Sequence, residues 1–204
     1  MDGVFMGKMV KFLCIGLCVM VLLCAAQLLA DKYVLRNELI RLHVVANSDT
    51  AADQNTKLLV RDAVVRYLEP MLRELQTQKQ ARGYLEENLP AVEAAAASCL
   101  RNLGVQDAVR VRLVEEPFGK REYDTFSLPS GMYTSLRIEI GRGEGKNWWC
   151  VIFPSLCLDA FRDTAVAAGF SQPLTDTLAG EDGYTVRFFL LDCLGRVENF
   201  LFEK

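Results

Sequence analysis

Histidine is nearly absent from this sequence, since His43 is the single one among 204 residues. A zinc site built from several histidines is therefore excluded, and so is the H-E-x-x-H motif of metalloproteases. No C-x-x-C pair lies beyond the N-terminal apolar segment, and the G-x-S-x-G motif of serine hydrolases is missing. For an enzyme, these absences leave a nucleophile pair of His43 with Cys150, Cys157 or Cys193.

Strong net charge is also lacking. The formal net charge is −3, with no cluster of Lys and Arg, which argues against nucleic acid as the partner. The glycines at positions 141, 143 and 145 form G-x-G-x-G, and Lys146 precedes Asn147, so neither a dinucleotide-binding loop nor a P-loop is present. Asp49 and Asp53 flank a predicted helix N-terminus, where carboxylates are stabilising without further function. The sequence thus predicts no cofactor, no metal and no catalytic residue.

An apolar run without charge occupies residues 12–30. Lys8 and Lys11 precede it and Asp31 follows it, as in a signal peptide or an uncleaved membrane anchor. Positive charge before such a run keeps the N-terminus inside, so the rest of the chain is exported. We expect a signal peptide or membrane anchor over residues 1–32 and an exported domain over residues 33–204.

Three of the seven cysteines lie in the apolar run, and four lie in the predicted exported domain: Cys99, Cys150, Cys157 and Cys193. An exported domain can oxidise its cysteines. Cys150 and Cys157 are close in sequence and flank a turn that contains proline, so they are the pair that we expect to form a disulfide. The alternative is four reduced, buried cysteines, because connectivity cannot be deduced from sequence.

Hydrophobic periodicity predicts an α+β fold. Predicted strands cover residues 38–46, 107–115, 133–140 and 149–153, and predicted helices cover residues 51–78, 80–103 and 184–202. Residues 116–131 are predicted as a long ordered loop and residues 159–168 as a short helix. We expect a small mixed or antiparallel sheet of about four strands, with the helices on one face.

Two of these elements carry further expectations. In the first strand, Arg41 and His43 alternate with apolar residues, which predicts that one face of the strand is solvent-exposed. The last helix has a wide apolar stripe. It can close the domain, lie on a membrane or dock on another helix, and the ordinary width of the stripe favours closing the domain.

The stretch from residue 141 to 157 holds both tryptophans and the three alternating glycines. Such glycines leave the backbone free to adopt positive φ. Residues 149–153 then form a strand that Pro154 ends. Trp148 and Trp149 belong either to this core strand or to a rigid, partly exposed aromatic patch that anchors a partner.

Two motifs resemble the signatures of the stage II sporulation protein R family. The first is Ile-Arg-Leu-His-Val-Val-Ala-Asn-Ser-Asp at residues 40–49, continued at residues 53–54, 57–58 and 60–64. The second comprises residues 128–133, 136–138 and 141–157, where Ser155 departs from the second proline that the family often has. The resemblance covers roughly residues 36–160.

The resemblance implies a developmental signal of endospore-forming bacteria. Such proteins are made in the forespore and exported into the space between the two septal membranes. There they activate a membrane-embedded aspartic protease of the mother cell, which processes the precursor of a sigma factor; the activator itself is not an enzyme. The candidate receptor contacts in this sequence are Asn47, Ser48, Asp49, Trp148 and Trp149. Two other interpretations stay open, an exported hydrolase acting on cell wall or peptide and a structural septal protein.

Overall fold

The computed structural model describes residues 2–122, 127–154 and 186–202. The elements in chain order are α1 (Asp2–Glu38), β1 (Ile40–Val45), α2 (Ala51–Leu72), α3 (Gln78–Asn102), β2 (Val109–Phe118), β3 (Arg121–Glu122), β4 (Ser127–Leu128), β5 (Gly131–Ile140), β6 (Asn147–Phe153) and α4 (Val186–Phe202). This is the predicted α+β class. The helix predicted at residues 159–168 lies outside the described residues.

The main sheet has four strands in the order β2-β5-β1-β6. β1 is parallel to β5, with Leu42 opposite Leu136, and antiparallel to β6, with Leu42 opposite Cys150. β2 is antiparallel to β5, with Val111 opposite Ile138. The sheet is therefore mixed, and β3 and β4 form a separate two-stranded ribbon.

One face of the sheet packs against α2 and α3. Alternate residues of the strands, such as Leu42, Val44 and Ile138, enter a single buried core with Val64 of α2 and Val92 of α3. The two helices are separate because α2 ends at Leu72 and Thr77 begins α3 with a capping box to Gln80. This capping box satisfies two backbone N–H groups at the start of α3.

The expectation that all helices lie on one face is wrong. The last turns of α1 cover the second face, where Leu35 and Leu39 pack with Phe118, Tyr133 and Val151. α4 also contacts β5 and β2. A sheet with apolar and aromatic residues on both faces needs cover on both, and the ends of the chain supply it.

β1 is also more buried than its alternation predicted, since all six of its residues are buried. Aromatic rings cover its polar side chains. The guanidinium carbon of Arg41 lies 4.1 Å from the ring centre of Phe118 and 5.3 Å from that of Tyr133. A polar residue in a strand pattern therefore marked a cation–π contact here instead of a solvent-facing position.

The long loop predicted over residues 116–131 is partly regular structure. β2 continues to Phe118, which pairs with Gly131, and Arg121 pairs with Leu128 across the β3–β4 ribbon. Aromatic residues in a polar segment signalled order, but the extension of β2 across Pro117 was missed. Pro117 is tolerated there because β2 is an edge strand.

The direction of α1 distinguishes the two sides of the sheet at which its strands begin and end, which we call edges. Arg36 contacts Glu115, and one turn earlier Lys32 lines a cleft with Ser130 and Met132. α1 therefore leaves the sheet at the edge where β5 begins, which we call the anchor-proximal edge. The distal edge is the opposite one, where β1 and β5 end and β6 begins. The ten residues of β5 separate the two edges by roughly 30 Å.

α1 contains a stretch, Lys11–Glu38, that is long and apolar enough to cross a membrane by length and composition. It lies near the N-terminus, and the 18-residue window that meets this criterion is not buried in the protein. This finding fits either a signal sequence or a membrane anchor.

Candidate functional site

Two loops meet at the distal edge, the one after β1 and the one between β5 and β6. The N–H of Gly145 donates to the carbonyl oxygen of Ala46 (2.9 Å), and the N–H of Glu144 donates to that of Asn47 (3.3 Å). Backbone hydrogen bonds therefore join two segments that are about a hundred residues apart in the sequence. We call residues 46–50 and 141–147 together the distal loops.

Asn47, Ser48 and Asp49, which the sequence predicted as partner contacts, all lie in the distal loops. The side-chain oxygen of Asn47 accepts from the N–H of Arg142 (3.1 Å), and Oδ1 of Asp49 accepts from the N–H of Lys146 (2.7 Å). Ser48 donates its hydroxyl to Asp53 in the first turn of α2. Asn47 and Asp49 thus hold the two loops together, and Ser48 ties the first loop to α2. The role of all three toward a partner stays a prediction.

The glycines of the distal loops are required for two different reasons. Gly141 and Gly143 have φ of 59° and 65°, as the alternating pattern predicted. Gly145 is instead needed for close approach. A Cβ at this position would overlap the carbonyl oxygen of Ser48 and lie 2.9 Å from the Cβ of Ala46. Only glycine allows the two loops to come this close.

The two tryptophans do not form one patch, because neighbouring residues of a strand point to opposite faces of the sheet. Trp148 packs beside the core under α2, where the guanidinium carbon of Arg61 lies 4.3 Å from its ring centre. Trp149 lies on the second face, stacked on His43 with ring centres 3.7 Å apart. Both indoles are half-buried.

A polar cluster lies beneath Trp149. Nδ1 of His43 is 3.0 Å from Oε1 of Glu116, and Nε2 of His43 is 2.9 Å from the side-chain oxygen of Asn147. Arg137 donates to the other carboxylate oxygen of Glu116 (2.8 Å). We call His43, Glu116, Arg137, Asn147 and Trp149 the His43 cluster.

Electrostatics keeps the carboxylates of this cluster charged. Burial raises the pKa of Glu116, but its contacts with His43 and Arg137 outweigh burial, and the pKa falls below its usual value. Glu139, which lies beside the cluster, follows the same logic. Burial raises its pKa, but the adjacent Arg137 and Arg112 outweigh burial, and the pKa falls below its usual value. Glu116 and Glu139 are therefore ionised at neutral pH and pair with the arginines of β2 and β5.

Sequence reasoning missed Glu116 as the partner of His43 and Arg137 as the partner of Glu116. Glu116 lies 73 positions from His43, and only the register of β1, β5 and β2 brings the three side chains together. One signal was available. Continuing the alternation of β2 to Phe118 places Glu116 on the same face as Arg110 and Arg112.

The cluster is not arranged for nucleophilic catalysis. The side chain of His43 is 4% exposed, both ring nitrogens have partners, and Trp149 covers the ring. Cys150, a proposed nucleophile, points to the opposite face of β6 and is disulfide-bonded. The His43–Cys150 pair expected of a hydrolase is therefore not formed. The predicted disulfide partner, Cys157, lies outside the described residues, while Cys99 and Cys193 are free thiols.

Comparison with known proteins agrees with the two motifs. The family model described as Stage II sporulation protein R matches residues 36–163, which include β1, both distal loops and the whole of the main sheet. The chain belongs to the stage II sporulation protein R family. Membership in this family supports a role in sporulation, and the family is named for a developmental stage and not for a catalysed reaction.

A curated relative gives the same result. Stage II sporulation protein R of Bacillus subtilis (strain 168) is 33% identical over 124 residues, which cover 61% of this chain and 55% of that protein. The chain thus spans about half the length of the curated relative that it matches. No solved structure matches the chain. The family match begins inside α1 and ends before α4, so the apolar run and the last helix lie outside it.

Proposed function

We propose that this protein is an exported forespore signal that activates a membrane-embedded aspartic protease of the mother cell. Activation of this receptor triggers processing of a sigma-factor precursor during endospore formation. The observation that carries the proposal is the family match over residues 36–163. The apolar stretch of α1 supports export to the space between the septal membranes.

The proposed receptor surface is the distal edge. A receptor in the facing membrane meets the part of the domain that points away from the domain's own membrane segment. α1 leaves the sheet at the anchor-proximal edge, so the distal loops are the part that points away. Arg142 and Glu144 project from them, with side chains 68% and 62% exposed.

Five side chains are the proposed receptor contacts: Asn47, Ser48, Asp49, Trp148 and Trp149. The first three shape the distal loops. The two half-buried indoles lie next to these loops, Trp148 on one face of the sheet and Trp149 on the other. The bonds that hold the loops together give the surface one fixed shape, which lowers the entropy lost on binding. To activate the receptor, this surface must bind the active form of the protease more tightly than the resting form.

The enclosed His43 cluster favours the signal over a hydrolase. A general base must reach the proton that it removes, whereas His43 is covered by Trp149 and held on both nitrogens. Within the described residues, the cluster therefore acts as a support beneath the distal loops. Through Asn147, it connects the central strand to the loop that carries Arg142 and Glu144.

Reconstitution tests the proposal. The full chain is co-expressed with the candidate receptor protease and the sigma precursor in a non-sporulating host, and precursor size is followed on a gel. We expect processing that needs this chain and an active-site aspartate of the receptor. Processing that survives loss of that aspartate would make this chain hydrolytic, and the absence of processing would contradict the proposed signal.

A charge swap then tests the surface. Arg142 and Glu144 form an exposed ion pair of 3.3 Å in the distal loops. Arg82 and Glu86 form an exposed pair of 2.9 Å on α3, where Arg82 also lies 3.5 Å from Glu115. Exposed pairs contribute little to stability, so exchanging the two charges of either pair should leave the fold intact. We expect the swap in the distal loops to reduce processing and the swap on α3 to leave it unchanged. Equal processing by both variants would exclude the distal loops as the receptor surface.

A further inference from the structure

The outward face of α4 is mainly apolar over residues 189–201, whose side chains the structure describes. Six large side chains of this helix are between 40% and 81% exposed: Phe189, Leu190, Leu194, Val197, Phe200 and Leu201. At about 100° per residue they share one arc, to which Cys193 also belongs. A helix on the surface of a soluble domain usually presents its polar face to water. In α4 the apolar face points outward instead.

Polar side chains on the inner face fix the orientation of α4. Oδ1 of Asp192 accepts from the N–H of Ser130 (3.0 Å) and from its hydroxyl (2.8 Å). Nδ2 of Asn199 donates to the carbonyl oxygen of Phe118 (2.8 Å). Gly195 lies so close to Ser130 that a side chain there would overlap the Ser130 backbone. Rotation of the helix to bury its apolar arc would break all of these contacts.

α4 also lies beside the membrane segment. Nζ of Lys32 is 2.9 Å from Oε2 of Glu198, and Lys32 comes two residues after the uncharged run at residues 12–30. Leu191 and Gly195 line a cleft with Leu35 and Lys32, closer to the sheet. The two helices therefore run in opposite directions, and Phe200 and Leu201 lie beyond Glu198, towards the apolar run.

We propose that the outer face of the last turns of α4, residues 197–201, is a membrane-binding surface that lies in the lipid interface where α1 enters the bilayer. The arc ends on the side of α4 that approaches the apolar run of α1, and a basic side chain borders it. Arg196 lies at the margin of the arc, pairs with Asp192 and has a side chain that is 68% exposed. An apolar face with a basic margin is the pattern of a helix that lies in an interface rich in anionic lipid. This inference needs no receptor and stands independently of the proposed signalling role; it rests on α1 being retained as a membrane anchor.

Spin-label accessibility in bilayers tests this proposal on the full chain. The protein is reconstituted at one copy per nanodisc of phosphatidylethanolamine and phosphatidylglycerol. One label is attached at Val197→Cys and, in a second variant, at Phe200→Cys, since both positions are well exposed. The free cysteines are first replaced by alanine: Cys14, Cys18, Cys24, Cys99 and Cys193. The matched control is Glu87→Cys, which is exposed on α3.

Oxygen partitions into lipid and a nickel chelate stays in water, so the two relaxation reagents show whether lipid, water or protein surrounds each label. We expect the labels at 197 and 200 to be accessible to oxygen and protected from nickel, while the label at 87 stays accessible to nickel. Nickel accessibility at 197 and 200 equal to that at 87 would overturn the proposal. Low accessibility to both reagents would also overturn it, because protein would then cover the face.

Discussion

Gly145 is the position where a single methyl group should separate the distal loops. In Gly145→Ala the new Cβ would overlap the carbonyl oxygen of Ser48 and crowd Ala46. The obstacle is backbone and not a flexible side-chain end, so it cannot swing away. The clash is relieved only if the loop between β5 and β6 moves off the loop that follows β1.

Four hydrogen bonds give the magnitude of the effect. Two join backbone groups of the loops, and two join the side chains of Asn47 and Asp49 to backbone N–H groups across the gap. Losing two to four of them, at about 1 kcal/mol each, lowers the free energy of unfolding by roughly 2–4 kcal/mol. Gly143→Ala is the matched control. Its φ of 65° disfavours alanine by about 1–2 kcal/mol, but its Cβ would meet nothing closer than 3.7 Å.

Hydrogen exchange separates the two variants better than stability does. In Gly145→Ala the backbone amides at positions 145 and 146 should lose their protection from hydrogen exchange, because their acceptors on Ala46 and Asp49 have moved away. In Gly143→Ala both amides should stay protected. Precursor processing in the reconstituted system should fall with Gly145→Ala and persist with Gly143→Ala. Retained protection at Gly145 and Lys146 in Gly145→Ala would refute the reasoning.

Three further changes test the remaining parts of the site. Glu116→Gln should lower the free energy of unfolding at pH 7 by about 1.5–3 kcal/mol. The pKa of Glu116 is lowered in the folded state. Its carboxylate therefore stabilises the wild type above pH of about 4.3 and ceases to do so as the pH falls through the folded pKa. Urea titrations should find the two proteins converging in acid, and a constant difference would contradict the linkage. Trp149→Phe and Trp148→Phe should each stay folded by circular dichroism and reduce processing; full processing by a folded variant would assign that indole to the core alone. Peptide mapping without reduction should recover Cys150 linked to Cys157, and a different partner for Cys150 would refute the predicted pairing.

Local chemistry made most of the fold predictable. The alternation of Leu136 and Ile138 with charged residues located β5. A mixed or antiparallel sheet of about four strands was expected, and the main sheet is mixed with four strands. The turn residues at 47–50 marked the start of α2, where Thr50 accepts from the N–H of Asp53. The position of Pro154 correctly ended β6. Such signals act within a few residues, so they need no knowledge of tertiary contacts.

The predictions that failed depended on what covers the second face. Arg41 and His43 suggested solvent, but the rings that bury them, Phe118 and Trp149, come from strands far along the chain. The register of a mixed sheet decides such contacts, and register is set by long-range pairing. The same limit explains why Glu116 was assigned to a loop and why the helices were expected on one face.

The placement of α4 links the two ends of the molecule. Its apolar arc resembles a core-facing stripe in sequence, so the pattern favoured a helix that closes the domain. The structure uses the opposite side of the helix for that purpose, through Asp192 and Asn199, and leaves the arc outward. Because Lys32 and Glu198 join α4 to the base of α1, lipid on this arc would add a second membrane contact at the same edge. Two contacts at one edge restrict tilting of the domain far more than one helix does, and they would hold the distal loops roughly 30 Å from the anchor-proximal edge, facing away from the membrane.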